Sequence, residues 1–411
     1  MSGADRPVIS GIGVVSPLGT GAGVFWEALC AGRTAIAEIH RFDPRPRPPR
    51  LGAEVAPFAA REHLPPALVR RMDRLSQMIC VAAVLAAADA GLGAAGADGP
   101  RDRQGCDDLG VVVGSSLGNL TEAAQFLERV FTKGPSLANP MLFPNLVMNA
   151  PASQVAMALG WRGPNLTVSC GEISGEVALQ TGVDLVRRRR CRAVVVAAGE
   201  ELSEIVFHTL KELGHLSPRR RGRERSAPFD VQANGPVLGE GAAAVVVETP
   251  ESAERRGASI QATIERIERF TVPSPSPHLW PRLDSAAKIP RPPRVRVSDL
   301  VFCGADSSPE RDRLELTLLK PIVAADGLVY SLAGAVGSHA SQGLATLVAA
   351  VLALRSGAVP PLLGFEQAPA NIGFGFPQSL QRGEWTRALV LGVARGGAGA
   401  IIDLAREAQL P

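Results

Sequence analysis

Three uninterrupted apolar runs of strand length constrain the fold of this chain more than any other feature. They read LGVVVG from Leu109, AVVVAAGE from Ala193 and GAAAVVVE from Gly241. Strands that are apolar at every position, rather than at alternate positions, are covered on both faces, and helices supply that cover in α/β proteins. The second half of the chain repeats the pattern in DLVFCGAD, RALVLGVA and GAIIDLA, with the apolar helix segment GLATLVAAVLALRSG among them. The sequence therefore predicts an α/β protein made of two similar halves.

The chain length agrees with two units. With 411 residues, the chain exceeds the usual size of a single hydrophobic core. We place the first half at residues 1–250 and the second, shorter half at 251–411. A proline-rich segment at about 271–295 interrupts the second half. We expect it to be a surface excursion, because proline lacks the amide donor that a helix needs.

Composition and charge argue against several classes of protein. The net charge of +3 is too small for a protein that binds nucleic acid, although arginines cluster at 187–190 and 219–225. The six cysteines show no CxxC or CxxxH spacing, so we expect neither a metal site nor disulfides. No apolar run reaches the ~18 to 20 residues that cross a bilayer. We therefore expect a cytoplasmic protein with no membrane contact, no cofactor and no metal.

A short stretch near the middle of the chain has the pattern of an active-site turn. The sequence SCGEISGEVALQTGVDLV, from Ser169, passes from small residues into an amphipathic helix. A turn of this kind between a strand and a helix is expected to carry a nucleophile at its tip. Here the tip is Glu172, and Cys170 stands two residues earlier.

Several longer motifs resemble the β-ketoacyl synthases, the condensing enzymes of fatty-acid and polyketide synthesis. They are VISGIGVVSPLGTG, RMDRLSQMICVAAVLAAADAGL, NAPASQVAMALGWRGPNLTVSC, HLSP followed by SAPFDVQANGPVLGEGAAAVVVE, and LALRSGAVPP. The resemblance covers nearly the whole chain. It implies a thiolase-like fold, with five layers α-β-α-β-α built from two pseudo-twofold-related βαβαβαββ halves, and a pairing of two chains across a large interface.

When the chain is laid on that family's catalytic motifs, the reactive side chains are missing. The family uses a cysteine at the elbow, two histidines and usually a lysine. The resemblance places Glu172 at the cysteine, Cys303 at the first histidine, Gly337 at the second histidine and Leu332 at the lysine. We therefore expect no catalytic residue to be intact. His339 lies two residues beyond Gly337, and a local gap in the alignment would restore a histidine there.

The resemblance also indicates what replaces the lost chemistry. The family's GFGGT motif corresponds to VARGGAG, which puts Arg395 where a phenylalanine borders the nucleophile. A carboxylate buried at the elbow needs a compensating partner, so we predict an ion pair between Glu172 and Arg395. Hydrogen bonds from backbone amides or water, and projection toward a partner subunit, are the alternatives. We expect Glu172, Arg395, Cys303 and His339 to share one pocket.

This pattern of loss is most similar to that of chain length factors, the catalytically silent subunits that pair with an active ketosynthase in type II polyketide and polyene systems. Chain length factors carry glutamine at the nucleophile position, so Glu172 departs from them. The resemblance implies a heterodimer in which this chain shapes the acyl tunnel and helps to bind acyl carrier protein, for instance through Arg187–Arg190. Whether the chain is itself an enzyme stays open.

Two other functions remain under this resemblance. A decarboxylase that generates a primer from malonyl-acyl carrier protein would keep the histidines, which this chain lacks at the aligned positions. A stand-alone scaffold that binds acyl carrier protein would form a homodimer.

Two apolar segments are predicted at or near a subunit interface. These are AVVVAAGE at 193–200 and MLFPNLVMNAPASQVAMALG at 141–160. The second segment carries a density of large apolar side chains that would be a liability on the surface of a monomer. They are Met141, Leu142, Phe143, Leu146, Val147 and Met148.

Overall fold

The structure, a computed structural model, describes residues 6–44, 47–93, 106–219, 222–274, 280, 282 and 295–407. The strands are β1 (Val8–Ser16), β2 (Gly19–Thr20), β3 (Ala37–Glu38), β4 (Leu51–Ala53), β5 (Leu109–Gly114), β6 (Asn165–Val168), β7 (Ala193–Glu200), β8 (Leu238–Gly239), β9 (Gly241–Glu248), β10 (Ala262–Thr271), β11 (Ser298–Cys303), β12 (Val323–Ser331), β13 (Ala358–Val359), β14 (Gln381–Arg382), β15 (Arg387–Val393) and β16 (Ala398–Ala405). The helices are α1 (Ala22–Cys30), α2 (Pro66–Val69), α3 (Arg74–Asp89), α4 (Leu120–Lys133), α5 (Ala150–Leu159), α6 (Ser174–Arg187), α7 (Glu204–Glu212), α8 (Pro250–Arg255), α9 (Pro309–Leu319), α10 (Ala333–Val336) and α11 (Gly343–Ser356). Single 3₁₀ turns lie at Ala60–Glu62, Pro135–Leu137, Phe143–Asn145 and Arg395–Gly397.

One large mixed sheet runs through the molecule, and its strand order repeats the same plan twice. The order is β12-β11-β15-β16-β10-β1-β9-β7-β5-β6. Counted outward from the junction of β1 and β10, the first half runs β1, β9, β7, β5, β6 and the second half runs β10, β16, β15, β11, β12. When these five strands are numbered by chain order within each half, both halves read first, fifth, fourth, second, third. In both halves the first two pairings are antiparallel and the next two are parallel. This repetition confirms the two pseudo-twofold-related halves expected from the sequence.

The order of helices and strands follows the expected pattern most completely in the first half. That half reads β1-α3-β5-α5-β6-α6-β7-β9, which is βαβαβαββ once the inserted helices α1, α4 and α7 and the shorter elements are set aside. The second half reads β11-α9-β12-α11-β15-β16 after β10. The proline-rich segment at about 271–295 follows β10 and lies largely outside the described residues. We propose the boundary between the halves at about residue 250, where α8 begins.

Helices cover both faces of the strands, which explains why the strand runs are apolar throughout. In β7, Val194 and Val196 face a central core that also contains residues of α6 and α11, whereas Val195 and Ala197 face a second core beneath α3 and α5. The helices α6 and α11 pack against each other between the two halves. With α3 and α5 on the first half and α9 on the second, the layers run α-β-α-β-α.

The interface predicted for the segment AVVVAAGE is wrong. Every residue of β7 is buried within the chain itself. The strand lies between β9 and β5, and α6 and α3 pack against it. Its apolar residues therefore belong to the internal cores. The other predicted segment differs, because Met141 and Phe143 are 73% and 63% exposed.

Candidate functional site

The elbow forms where β6 ends and α6 begins, and short hydrogen bonds close its turn. Gly171 has a φ of 60°, a left-handed conformation that glycine adopts without strain. The Ser174 hydroxyl accepts a hydrogen bond from the Cys170 N–H at 2.9 Å and donates one to the Gly171 carbonyl at 2.7 Å. Glu172 therefore stands at the tip of a fixed turn, just before the first turn of α6.

The carboxylate of Glu172 is bound by Arg395, from the 3₁₀ turn that follows β15. Its Oε1 accepts a hydrogen bond from the Arg395 guanidinium, and its Oε2 accepts one from the Arg395 backbone N–H at 3.1 Å. The side chains of Glu172 and Arg395 are 13% and 38% exposed. The ion pair predicted between these residues is present. Because charge-assisted hydrogen bonds hold both oxygens, the carboxylate is not free to act as a nucleophile.

A second guanidinium lies next to this pair. Arg311 of α9 donates hydrogen bonds to Asp306 at 3.1 Å and to Glu315 at 3.0 Å. Burial disfavours its charged form, but the neighbouring carboxylates, Asp306 foremost, raise the pKa of Arg311 above its usual value, so the side chain stays charged. The ring centre of Trp280 lies 5.0 Å from the guanidinium carbon of Arg311 and 5.1 Å from that of Arg395. Both arginines therefore make cation–π contacts with one indole.

The elbow opens on a cavity of about 190 Å³, and Glu172, Arg395 and His339 all line it. Its other polar lining residues include Glu200, Glu201, Ser203, Asp306, Arg311 and Ser338. Its apolar wall includes Leu117, Leu202, Val206, Leu210, Leu216 and Leu238. The cavity is therefore polar around the elbow residues and apolar along α7 and the segments next to it.

Of the described residues that line this cavity, none is Cys303, Leu332 or Gly337. Cys303 is 1% exposed, its thiol donates to the Tyr330 carbonyl at 3.5 Å, and burial raises its pKa well above the usual value. Its expected place in the pocket is thus corrected, because the thiol is packed in the core at the end of β11. Leu332 is also a core residue. At Gly337, φ is 68° and a Cβ would lie 2.9 Å from the backbone of β8, so a histidine does not fit on this backbone.

Two histidines line the cavity, His215 and His339, and His339 is neutral near pH 7. Desolvation lowers its pKa to about 4, and the charge of Glu240 opposes this shift only in part. Its Nδ1 is buried and has no hydrogen-bond partner among the described residues. The structure thus brings a histidine to the elbow two residues after Gly337, where a local gap in the alignment would place one.

The sequence run AVVVAAGE predicted a strand but not the role of its last residue. Glu200 is 1% exposed and accepts hydrogen bonds from the Ser341 hydroxyl at 2.8 Å, the Ser115 hydroxyl at 3.2 Å and the Ser116 N–H. Burial raises the pKa of Glu200 to about 7 against these hydrogen bonds. The sequence feature that could have identified Glu200 as a site residue is its position at the end of an apolar strand, because site residues collect at strand ends in α/β sheets.

The described side chains do not form a metal centre, because no three His, Cys, Asp or Glu residues converge among them in a way that would hold an ion. In the same part of the chain, no helix combines the length and apolarity that crossing a bilayer requires. The arrangement can hold and orient a small molecule. The tip of the elbow carries a paired carboxylate, and the free, half-buried thiol of Cys170 lies two residues earlier in the same turn.

Comparison with known proteins places these features in a family. Residues 5–253 match the family model described as the N-terminal domain of β-ketoacyl synthase. The tetracenomycin polyketide synthase ketoacyl synthase alpha subunit of Streptomyces glaucescens is 30% identical over 98% of both chains. Among solved structures, the ishigamide ketosynthase/chain length factor superposes with a TM-score of 0.87 at 23% identity, covering 98% of this chain and 99% of that one.

A further solved structure contains a carrier protein. It is AntDE:AntF, a type II polyketide synthase acyl-carrier protein in complex with its ketosynthase bound to the hexaketide. The TM-score is 0.81 at 20% identity, with 98% of this chain and 99% of that one covered. At these identities the structural likeness establishes the fold, and the thiolase-like class expected from the sequence is confirmed.

Proposed function

This chain belongs to the β-ketoacyl synthase family, and on that premise we propose that it is a chain-length-factor-like subunit, silent on its own, of a heterodimer with an active ketosynthase. The observation that carries the proposal is the ion pair of Glu172 and Arg395 at the tip of the elbow. Condensation needs a thiolate there, which the positive end of a helix dipole favours. An arginine-bound carboxylate is no substitute, because an acylated carboxylate would be a mixed anhydride.

An open sheet edge supports a partner subunit. The strand β6 is the outermost strand of the first half and, among the described strands, pairs only with β5. Its other edge therefore offers backbone N–H and C=O groups to another chain. Leu166 in this strand is 40% exposed, and the Asn165 side chain ties the strand to α5 by a hydrogen bond to the Ala152 carbonyl at 3.1 Å.

Exposed apolar side chains near the start of α5 add to this surface. Met141, Phe143 and Val147 are 73%, 63% and 48% exposed, and Phe131 in α4 is 82% exposed. Large apolar groups in this number on a surface are typical of an interaction site. We therefore retain the segment 141–160 as part of the proposed interface, together with α4 and β6.

The size of the cavity favours a tunnel formed with a partner. At about 190 Å³, the cavity is smaller than the roughly 300–1,000 Å³ of ordinary ligand pockets. A growing polyketide or fatty-acyl chain would need more room than this. In the proposed heterodimer this subunit shapes the tunnel through its interface side chains and does not house the growing chain at its own elbow.

The basic cluster Arg187–Arg190 is badly placed to guide a carrier protein to this chain's cavity. It begins at the C-terminal end of α6, whereas Glu172 lies just before the N-terminal end. A helix of 14 residues spans roughly 20 Å at ~1.5 Å per residue. We therefore propose that acyl carrier protein docks on the heterodimer so as to serve the partner's elbow and not this chain's cavity.

One observation favours the alternative of a malonyl-thioester decarboxylase. His339 is neutral and lines the cavity, so it would be able to donate a hydrogen bond to an enolate oxygen. The carboxylate of a malonyl group would, however, meet Arg395 and Arg311 already engaged by Glu172 and Asp306. The silent subunit is the stronger proposal for this reason.

Co-expression with a candidate ketosynthase subunit from the same gene neighbourhood tests the proposal. Size-exclusion chromatography followed by mass spectrometry should show an equimolar heterodimer. A stable homodimer that ignores the ketosynthase would favour the stand-alone scaffold, and it would count against the proposed function. Malonyl-carrier-protein decarboxylation by the purified chain would favour the decarboxylase.

A further inference from the structure

The connection between β5 and α4 is held by two successive carboxyl groups at the end of β7. Glu200 accepts hydrogen bonds from the Ser116 N–H and, at 3.4 Å, from the Leu117 N–H. Glu201 accepts one from the Thr121 N–H at 3.2 Å. Three backbone N–H groups on the way into α4 therefore find their acceptors on side chains of another element, because backbone donors near the interior need a partner.

Glu200 also ties this connection to the second half of the chain. Its carboxyl group accepts a hydrogen bond from the Ser341 hydroxyl at 2.8 Å, and Ser341 lies in the loop before α11. The Ser115 hydroxyl, at the end of β5, donates to the same oxygen at 3.2 Å. Glu200 is 1% exposed, so water does not replace the carboxyl group as an acceptor when it is removed. Three separate segments of the chain thus meet at one buried acceptor.

The helix that follows the connection is lightly packed. None of the residues of α4 is buried, and Leu127 and Phe131 are 49% and 82% exposed. A helix of this length is marginally stable by itself, and most helices draw their stability from the packing of an apolar face. The attachment of the first turn, through Thr121 and Glu201, therefore has a large part in fixing where α4 lies.

The same connection borders both the cavity and the surface proposed for the partner subunit. Ser116 and Leu117 line the cavity, and Leu117 is 38% exposed. A Cβ on Gly118 would lie 2.5 Å from Sδ of Met148, so the backbone of the connection packs directly on the exposed apolar segment 141–160. A change in the connection would therefore disturb α4 and this segment together.

We propose that Glu200 is a positioning residue for the partner subunit: its carboxyl group holds the connection between β5 and α4 closed, and release of this hold moves α4 out of the arrangement that the partner binds. The inference rests on the proposed heterodimer and names the group that keeps its binding surface in place. Glu200 acts through the connection, as a hydrogen-bond acceptor for donors from both halves of the chain.

Hydrogen exchange of the purified full chain, followed by mass spectrometry, reports whether the connection is closed. In Glu200→Ala the peptides that span 115–133 should exchange at least ~10-fold faster, because several buried donors lose their acceptor. Glu200→Gln keeps an acceptor oxygen at the same place and should exchange like the unchanged protein. Ser341→Ala removes one hydrogen bond and should accelerate exchange about 5-fold.

Glu248→Ala is the matched control for the loss of a buried carboxyl group. Glu248 pairs with Arg256, and it lies opposite the first residue of β7, whereas Glu200 is the last residue of that strand. Its removal should lower the melting temperature and leave exchange at 115–133 unchanged. Circular dichroism melts show which variants fold, and Ser341→Ala decides the outcome if Glu200→Ala does not fold.

The dissociation constant of the heterodimer relates the connection to the partner. Dilution of the labelled heterodimer measures it. Glu200→Ala should raise the dissociation constant at least ~10-fold, whereas Glu200→Gln and Glu248→Ala should stay within about 2-fold of the unchanged protein.

Three outcomes would overturn the proposal. They are unchanged exchange at 115–133 in folded Glu200→Ala or Ser341→Ala, exchange there that is equally fast in Glu200→Gln or Glu248→Ala, and an open connection with an unchanged dissociation constant. An unchanged chain that never pairs with a ketosynthase would refute the proposed function, and exchange in the single chain would still show whether Glu200 holds the connection.

Discussion

At the scale of single residues, the ion pair between Glu172 and Arg395 joins two turns that are far apart in the sequence. Arg395 uses both its guanidinium and its backbone N–H on the carboxylate, and its guanidinium also stacks on Trp280. Only the guanidinium contacts are lost on truncation of the side chain. Truncation of Arg395 therefore measures the contribution of its guanidinium to the stability of the elbow.

Arg395→Ala should lower the free energy of unfolding by about 2 kcal/mol, because it leaves the largely buried carboxylate of Glu172 without its ion-pair partner. The value is less than for a fully buried pair, since the Arg395 side chain is 38% exposed. Urea denaturation measures it, with Arg188→Ala as an exposed control. The double change Glu172→Gln with Arg395→Phe should recover much of the loss, and strictly additive effects would show that the two residues are not coupled.

Glu176, in the first turn of α6, is a carboxyl group buried in the core. It is 2% exposed, and its Oε2 bonds to no described residue. A Cβ on Gly343 or Gly392 would collide with it, so these glycines leave the space that it occupies. Burial raises its pKa to about 7 from the model-peptide value of 4.5, with partial opposition from its own N–H and from Arg311.

The folded protein therefore holds the Glu176 proton more tightly than the unfolded chain does. The stability contributed by this group is complete below pH 4.5 and is lost as the pH rises through about 7. Glu176→Gln should remove this loss, so its free energy of unfolding should rise relative to the unchanged protein by up to about 3 kcal/mol between pH 5 and 8. Denaturation at both pH values checks it, and a constant difference would contradict the assigned shift.

Sequence reasoning found Glu172 and Arg395 because each lies in a motif whose neighbours are fixed by local chain geometry. It did not find Ser203, Arg311 or Trp280, because each comes from a different part of the chain and meets the elbow only through tertiary packing. Sequence reasoning also could not predict which carboxyl groups are buried and which form ion pairs. Glu172 and Glu176 are four residues apart, yet among the described residues only Glu172 forms an ion pair, while Glu176 is buried without one.

At the scale of elements, apolar runs identify strands but not what covers them. The run in β7 is buried by the chain's own helices, and the run from Met141 to Met148 is not. Both runs are equally apolar in the sequence. The difference follows from position in the fold, because β7 has a neighbouring strand on each side, whereas the segment before α5 belongs to no strand of the sheet.

Phe131→Lys and Leu166→Lys should each weaken the heterodimer at least ~10-fold, because a lysine in a desolvated interface loses its hydration without gaining a partner. The two residues are 82% and 40% exposed in the single chain, so its own stability should change little. Val297→Lys is the matched control, since Val297 is 60% exposed beside β11 in the other half. Co-purification that survives both changes would place the interface elsewhere.

At the scale of the whole molecule, the framework of the family persists, and we propose that the site within it is silent. The purified chain should neither accept an acyl group from acyl carrier protein nor decarboxylate malonyl carrier protein. Intact-protein mass spectrometry measures the first and carbon dioxide release the second. Acyl transfer by the unchanged chain that survives Cys170→Ala would contradict the assignment as a silent subunit.

Glu172→Cys tests whether a thiol at the elbow is enough to make the chain active. The new thiol would stand at the N-terminal end of α6 and should become acylated. Condensation should stay absent, because Cys303 and Leu332 are packed in the core and the backbone at Gly337 has no room for a histidine. Product formation by this variant would show that His339 supplies enough of the missing chemistry.

The central place of β1 in the sheet has a consequence for synthesis on the ribosome. Val8 in β1 pairs with Glu248 in β9, and Val8 also pairs with Thr263 in β10. During synthesis β1 must therefore wait for roughly 240 further residues, or on the order of 10–50 s at about 5–20 residues per second. During that interval an apolar strand has neither neighbour, and binding by a chaperone would shield it until β9 emerges.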